Sequence, residues 1–193
     1  MLSLVERSAL RGTLERYEGR VPHMYLDTRG RVTVGVGHLL PSVSSAQRLP
    51  FRLADDARKH ATREQVAAEY EALRTLKPAE HHSFYRPHTT LQLLDAAINA
   101  LTEQHIDSFH RELRVIYRDF DRLPSPARLA LFDMIFNLGA TGLRSEWPRM
   151  NKAIGTGDWR TAARESFRPD VQETRNAYVR KLFESAALAE ATP

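Results

Sequence analysis

Two acidic side chains near the start of the chain, Glu18 and Asp27, are of the type that cleaves glycosidic bonds. Such hydrolysis needs two carboxyl groups across the scissile bond, one of them protonated to act as a general acid. Acidic residues at a helix end and in a turn are usually solvated, so the pair alone is weak evidence. A catalytic role is supported by Thr33, which shares one face of the predicted strand with glycines at 35 and 37. Because glycine has no side chain, a ligand could approach that face closely. Together these residues strengthen the hypothesis of a carbohydrate-cleaving site, while solvated surface acids remain the alternative.

The elements that must position these residues are a helix and a hairpin. Ser3 and Glu6 form a capping-box pattern, which predicts the start of the first helix. Gly19 is suited to end that helix, and Glu18 then lies in its last turn. Period-two alternation predicts two strands after it, the second of which spans 31–38.

The rest of the chain is predicted to be mainly helical. A long helix with apolar periodicity is expected to act as a spine between two lobes, and an all-round apolar helix is expected to be buried. Capping residues, periodicity, proline and glycine place the helices at about 62–77, 98–120, 125–139, 147–154, from 158, and at 173–187.

The composition excludes several classes of protein. The chain has no cysteine, which rules out disulfides, thiolate zinc sites and cysteine nucleophiles. Its net charge of +4 fits a polyanionic partner without requiring one. Charges interrupt the N-terminal stretch, so we expect synthesis in the cytoplasm without a signal peptide, and no window predicts membrane insertion.

Two blocks of sequence resemble the phage-type lysozymes of glycoside hydrolase family 24. The downstream block is LFDMIFNLGATG with DWRTAARE after it, which is similar to the buried central helix of that family and the segment beyond that helix. The upstream block fills each position of the family's active-site motif, with Glu18, Gly19, Asp27, Gly30, Thr33, Gly35, Gly37 and His38.

The resemblance implies a fold and a domain organisation. The expected fold is α+β and mostly α, with a small β-hairpin lobe and a helical lobe joined by a long helix. The small lobe is expected at about 18–75 and an insertion at about 76–100. The helical lobe is expected at about 101–193 together with the first helix.

The resemblance also implies a reaction. Members of the family hydrolyse the β-1,4 bond between N-acetylmuramic acid and N-acetylglucosamine in peptidoglycan. By analogy, Glu18 protonates the leaving oxygen, while Asp27 and Thr33 position and activate a water on the opposite sugar face. This inverting arrangement predicts carboxyl groups roughly 6.5–9.5 Å apart.

Three residues match positions that line the saccharide cleft in the family, and they are Gly37, Leu39 and Phe136. Asn137 is a fourth candidate for binding substrate, on the chemistry of its amide. Plain core packing is an equal alternative for Leu39 and Phe136. Asn137 could present its amide to an N-acetyl group, or serve in a helix cap or internal hydrogen bond.

Two residues match supporting positions of the family. His38 could act as a general base, but the resemblance favours a structural role, in which it bonds to an acidic residue of a neighbouring helix such as Asp107. Arg175 matches an arginine that pairs with the catalytic glutamate, and Arg180 competes for this role. Because a nearby guanidinium lowers a carboxyl pKa, such an arginine would orient Glu18 more than tune it.

The segment at 74–100 is longer than in compact members of the family. It could cover one lobe, narrow the cleft or bind a partner, and the first alternative is favoured because its apolar residues could pack on the spine helix. These residues are Phe84, Tyr85, Leu91, Leu93 and Leu94. The histidines of the chain lack the spacing of a ligand set, so no metal or other cofactor is expected.

The resulting hypothesis is a monomeric peptidoglycan muramidase that acts at the cell wall after release or secretion. It could be an endolysin, or an antibacterial effector with an immunity protein and delivery machinery as partners. The alternatives are a chitin-type glycosidase and a non-catalytic wall-binding or scaffold domain. Basic residues are scattered and not interleaved with aromatics, so specific nucleic-acid binding is not expected.

Overall fold

A computed structural model describes residues 2–191 of the chain. The protein is 62% helical and has small antiparallel sheets, which confirms the predicted mostly α, α+β class. Within the described range, no helix is both long enough and apolar enough to cross a membrane.

The helices and strands alternate in the N-terminal half, and helices alone fill the C-terminal half. The helices are α1 (Leu4–Glu18), α2 (Val43–Ala46), α3 (Arg63–Leu73), α4 (His82–Tyr85), α5 (Asp95–Ile116), α6 (Ser125–Glu146), α7 (Pro148–Gly155), α8 (Trp159–Glu165) and α9 (Glu173–Ala191). The strands are β1 (Val21–Leu26), β2 (Val32–Gly35), β3 (His38–Leu39), β4 (Arg52–Leu53) and β5 (Leu91–Gln92). Short 3₁₀ turns lie at Arg86–His88 and Phe120–Arg122.

The first helix begins and ends as its sequence predicts. The Glu6 N–H donates to Ser3 Oγ at 3.2 Å, and the Ser3 N–H donates to Glu6 Oε2 at 2.8 Å, which completes the capping box. Helix α1 ends at Glu18, and Gly19 comes next with a φ of +77°. Glycine adopts this left-handed conformation without steric cost, so the chain turns directly into β1.

The sheet that carries the site has three antiparallel strands in the order β1-β2-β3. The prediction of one strand over 31–38 was wrong, because the chain turns at Val36 and Gly37 and returns as β3. Gly35 and Gly37 both have a φ of +67°, which is incompatible with an extended strand. Thr33 lies at the centre of the sheet, opposite Tyr25 of β1 and Leu39 of β3.

The chain forms two compact units. Unit one comprises residues up to Thr13 and from His105 onward, and unit two comprises Leu14–Gln104. The core of unit one is built on α6, which is interrupted at Gly139 with a φ of 68° and a ψ of 167°. Its predicted end at Gly139 is therefore a break, after which the helix resumes. The core of unit two lies under the sheet and includes Met24, Leu26, Val32, Val34, Phe51 and Leu73.

The segment at 74–100 lies within unit two and is tied to β1, β4 and α3. Its Leu93 N–H donates to the Pro22 carbonyl of β1 at 2.8 Å, and its strand β5 pairs with β4. Tyr85 is fully buried, whereas Phe84 and Leu94 are 41% and 40% exposed. Leu91 and Leu93 are also buried, so three of the five apolar residues are in the interior and two remain at the surface. That the segment covers one lobe remains a prediction.

Candidate active site

The nine predicted site residues divide between the two units. Unit two holds Glu18, Asp27, Thr33, Gly37, His38 and Leu39. Unit one holds Phe136, Asn137 and Arg175. The first group lies at the end of α1, in the β1–β2 turn, on β2 and β3, and in the turn that joins those two strands.

Asp27 is enclosed by hydrogen-bond donors from its own turn. Its Oδ1 accepts the backbone N–H groups of Arg29 at 2.8 Å and Arg31 at 2.9 Å. Its Oδ2 accepts the Arg31 guanidinium, with Nε at 2.8 Å and Nη2 at 2.7 Å. Both carboxylate oxygens are thus oriented by a turn that Gly30 closes, since the Gly30 N–H donates to the Asp27 carbonyl at 2.9 Å.

This environment fixes the charge of Asp27. Partial burial alone would raise the pKa of its carboxyl group, but the donors of Arg31 and Arg29 prevail and hold the pKa below its usual range. Asp27 is therefore an ionised carboxylate near neutral pH. That state suits a group that orients water or stabilises positive charge, and it excludes Asp27 as the protonated acid.

Thr33 contributes a buried hydroxyl group beside this carboxylate turn. Thr33 is only 4% exposed, and its Oγ1 donates a hydrogen bond to the Arg31 carbonyl at 3.1 Å. Because its single proton is used in that bond, the oxygen offers its lone pairs as acceptors. A water molecule could donate to it while its own oxygen remains free to attack.

The end of α1 is anchored by an arginine that sequence reasoning did not single out. Arg20 pairs with Glu15 of α1 at 2.6 Å and with Asp95, the first residue of α5, at 2.9 Å. All three residues belong to unit two. The bridge fixes the corner that carries Glu18, two residues before Arg20. Two features of the sequence could have indicated this role, namely the long side chain of arginine and the position of Arg20 directly after Gly19.

Tyr25 is the second residue that the sequence analysis missed. It is opposite Thr33 in the β1–β2 pairing, and the two side chains therefore share a face of the sheet. Burial, and then the negative charges of Glu18 and Asp27, raise the pKa of the Tyr25 hydroxyl to about 12. Tyr25 is thus within electrostatic reach of both predicted catalytic carboxylates. Period-two spacing from Asp27 was the signal that could have found it.

Leu39 lies at the surface of two cavities, so core packing does not account for it. One cavity, of about 510 Å³, is lined by Leu39 with Gly30, Arg31, Tyr70 and Arg74 among others. The other, of about 480 Å³, is lined by Leu39 with His38, Arg48, Leu101 and Gln104 among others. The adjacent Leu40 fills the core position instead. Leu39 is therefore accessible to a ligand, as a substrate-lining role requires.

In unit one, Phe136 and Asn137 occupy the middle of α6. Phe136 is half-buried and lies 5.6 Å from the Phe109 ring, in an edge-to-face arrangement. Its other aromatic neighbour is His105, whose ring centroid is 6.4 Å away and whose pKa burial lowers. Asn137 is exposed, which leaves its amide accessible. Their proposed contacts with saccharide remain predictions.

Arg175 is buried within unit one, where it binds a carboxylate. Its Nε lies 3.2 and 3.0 Å from the two oxygens of Asp133, and Arg168 also binds Asp133, at 2.9 Å. The competing candidate Arg180 is exposed and pairs with Glu184 at 2.9 Å. Arg175 is therefore the more rigidly held of the two. That it orients Glu18 remains a prediction.

Asp107, which the sequence suggests as the acidic partner of His38, forms an ion pair with an arginine. Asp107 forms an ion pair with Arg7 at 2.6 Å, within unit one. A structural role for His38 remains a prediction. Among residues 2–191, no three His, Asp or Glu side chains are grouped so that they could hold a metal ion.

Comparison with known proteins identifies the class and then the family. A family model described as phage lysozyme matches residues 15–181. A protein of Dictyostelium discoideum described as probable T4-type lysozyme 2 is 26% identical over 158 residues, which cover 82% of this chain and 81% of the relative. With the mostly α fold, these matches define a lysozyme-like glycosidase. The family match spans most of the chain, so the protein belongs to the phage lysozyme family, as its motifs predicted, and this family implies peptidoglycan as substrate.

Proposed function

We propose that the protein is a muramidase that cleaves the β-1,4 bond between N-acetylmuramic acid and N-acetylglucosamine with inversion at the anomeric carbon. The observation that carries this proposal is the carboxylate of Asp27. It is held ionised in the β1–β2 turn beside the buried hydroxyl of Thr33, on the hairpin that directly succeeds Glu18.

The two carboxyl groups take different roles in this proposal. Glu18 protonates the glycosidic oxygen as the bond breaks. Asp27 already accepts four donor groups, and its lowered pKa makes it a weak base. It therefore acts mainly by its negative charge, which stabilises the developing oxocarbenium ion and orients the attacking water. Thr33 accepts a hydrogen bond from that water and holds it on the face opposite the leaving group.

Clearing of purified peptidoglycan tests the proposal. We expect Glu18→Gln and Asp27→Asn each to lower the rate by about three decades or more. The first variant removes the general acid, and the second removes the charge that orients the attacking water. Asp56→Asn is the matched control. Asp56 lies in a turn of the same unit and pairs with Arg58 at 3.0 Å, outside the site. If Glu18→Gln clears the wall as fast as wild type, the proposed mechanism is wrong.

Product analysis separates the finer alternatives. NMR of the released sugar immediately after cleavage should show the α anomer, because inversion of a β bond is expected. Release from peptidoglycan should exceed release from chitin oligomers, and the reverse order would identify a chitin-type glycosidase instead. Absence of release from both, with the fold intact, would indicate a non-catalytic wall-binding domain.

The proposed biological role is bacteriolytic. The net charge of +4 supports adsorption to an anionic cell wall. Expression in a bacterium with an added periplasmic leader should lyse the cells, whereas Glu18→Gln carrying the same leader should not. Growth at the wild-type rate with active enzyme in the periplasm would contradict this role.

A further inference from the structure

We infer that Tyr25 is a positioning residue of the active site, whose neutral hydroxyl group acts on the catalytic carboxylates from the face of the sheet that carries Thr33. This inference rests on the proposed function and adds a residue to it. Its basis is the register of β1 and β2 and the burial pattern along β1.

The register places Tyr25 beside Thr33. These two residues are opposite each other in the antiparallel β1–β2 pair, and Thr33 is in turn opposite Leu39 of β3. Side chains opposite each other in an antiparallel sheet point to the same face, with their Cβ atoms about 4.5–5.5 Å apart. Tyr25, Thr33 and Leu39 thus form one row across the sheet, and the predicted water-binding hydroxyl is at its centre.

The flanking residues fix the direction of the tyrosine. Met24 and Leu26 are both fully buried in the core of unit two, whereas Tyr25 between them is only half-buried. Because successive strand residues alternate between faces, Tyr25 must lie on the face away from Met24 and Leu26. The pairing with β2 continues beyond Leu26, since the Asp27 N–H donates to the Arg31 carbonyl at 3.0 Å. Tyr25 and Asp27 are therefore two apart in one extended stretch.

The electrostatics agree with this placement. The charges of Glu18 and Asp27 both act on the Tyr25 hydroxyl, after burial, to keep it protonated, with its pKa raised to about 12. Such coupling is mutual, because ionisation of the Tyr25 phenol would in turn raise the pKa of each carboxyl group, and the neutral phenol does not. Tyr25 therefore remains a hydrogen-bond donor throughout the pH range in which a glycosidase works.

A donor beside a carboxylate favours the ionised form of that carboxylate and so lowers its pKa. Tyr25→Phe removes the donor but keeps the ring and its packing. We expect kcat to fall about 10- to 100-fold with little change in KM, since a polar hydroxyl group within electrostatic reach of two carboxyl groups is lost. We also expect at least one limb of the pH–rate profile to move upward by about 0.5–1 pH unit. The acid limb moves if the hydroxyl acts on Asp27, and the alkaline limb moves if it acts on Glu18.

Tyr85→Phe is the matched control. Tyr85 lies in the same unit, and its hydroxyl donates to the Lys77 carbonyl at 2.8 Å. Loss of this hydrogen bond should lower the melting temperature without moving either limb of the profile. If Tyr25→Phe leaves both limbs in place, or if Tyr85→Phe moves them equally, Tyr25 is structural and the inference is wrong.

A second measurement does not depend on the folding of Tyr25→Phe. NMR titration of protein labelled with ¹³Cζ-tyrosine reports the pKa of each hydroxyl group in the intact fold. The Tyr25 pKa should fall in Glu18→Gln and in Asp27→Asn, but not in Asp56→Asn. An unchanged Tyr25 pKa in both site variants would overturn the inference. Clearing by wild type but not by Glu18→Gln would, in the same preparations, show that the proposed function stands independently.

Discussion

Arg31 sets the charge state of Asp27 through two guanidinium contacts and one backbone donor. Arg31→Met removes the guanidinium and leaves the backbone donors in place. The pKa of Asp27 should then rise toward its ordinary value. Because the proposed mechanism requires an ionised Asp27, the acid limb of the kcat/KM profile should move upward by about 0.5–1 pH unit.

The measurement is the rate of peptidoglycan clearing between pH 3 and pH 7. Arg58→Met is the control, since Arg58 makes a similar local pair with Asp56 away from the site. An unmoved acid limb in Arg31→Met would show that the backbone donors alone hold Asp27 ionised.

The sequence predicts some of these residues and not others. Glu18, Asp27 and Thr33 could be proposed from the sequence because residue type and spacing are visible in one dimension, and their catalytic roles remain predictions. Tyr25 and Arg31 were not found, because their importance depends on strand register and on the geometry of a turn. A tyrosine on a strand is common, and only its pairing with Thr33 distinguishes this one.

At the scale of elements, Glu69 of α3 holds the segment at 74–100 in place. Its Oε2 accepts the Thr90 N–H at 2.6 Å, the Thr90 hydroxyl at 3.0 Å and the Leu91 N–H at 3.1 Å. The residue is 7% exposed, and burial raises the pKa of its carboxyl group despite these donors. A glutamine could accept the same bonds without a buried charge.

We therefore expect Glu69→Ala to lower the free energy of unfolding by about 2–3 kcal/mol, because buried donors lose their acceptor. Glu69→Gln should cost much less. Glu71→Ala, on the exposed side of the same helix, should be nearly neutral, since its pair with Arg74 is solvated. Urea unfolding measures all three, and equal losses in the Gln and Ala variants of Glu69 would contradict this account.

The segment at 74–100 also brings His82 close to His23 of β1. His23 of β1 is buried, its Nδ1–H donates to the Met24 carbonyl at 3.0 Å, and its ring lies 6.2 Å from that of His82. Burial, with the charges of Arg86 and His82, lowers the pKa of His23 despite that hydrogen bond. His23 therefore binds a proton less readily in the folded protein than in the unfolded chain.

The sign of the pH dependence is set by this difference. As the pH falls through the unfolded pKa of about 6.5, the unfolded state binds more protons, so stability decreases toward acid pH. Urea unfolding between pH 7.5 and pH 5 should show this loss, with a slope of up to about 1.4 kcal/mol per pH unit for each proton. His23→Asn should reduce the slope of the free energy of unfolding against pH, whereas the exposed control His60→Asn should leave that slope unchanged. A slope unchanged by His23→Asn would assign the effect to other groups.

Element boundaries were predictable where a local signal exists. The capping box of α1 and the glycine after it are such signals. The end of β2 was missed because alternation continues through Val36, although the positive φ of Gly35 and Gly37 breaks the strand. The contacts of the segment at 74–100 with β1, β4 and α3 could not be predicted, since apolar residues indicate burial but do not specify the surface that buries them.

At the scale of the whole molecule, the charge balance has a measurable consequence. The chain carries 28 basic and 24 acidic residues, so its net charge is +4. Adsorption to an anionic wall is a long-range attraction, which salt screens over about 8–10 Å near physiological ionic strength. Clearing of intact walls should therefore slow as salt rises. Hydrolysis of short uncharged oligomers should hardly change, because the chemistry at Asp27 is local.

Surface variants distinguish adsorption from catalysis. Lys152 and Arg160 are exposed residues of unit one, and neutralising both with glutamine lowers the net charge from +4 to +2. We expect the double variant to clear walls more slowly at low salt and to show a weaker salt dependence, while its rate on short oligomers equals that of wild type. Equal salt dependence on both substrates would mean that salt acts on the site itself. The net charge would then have no part in binding the wall.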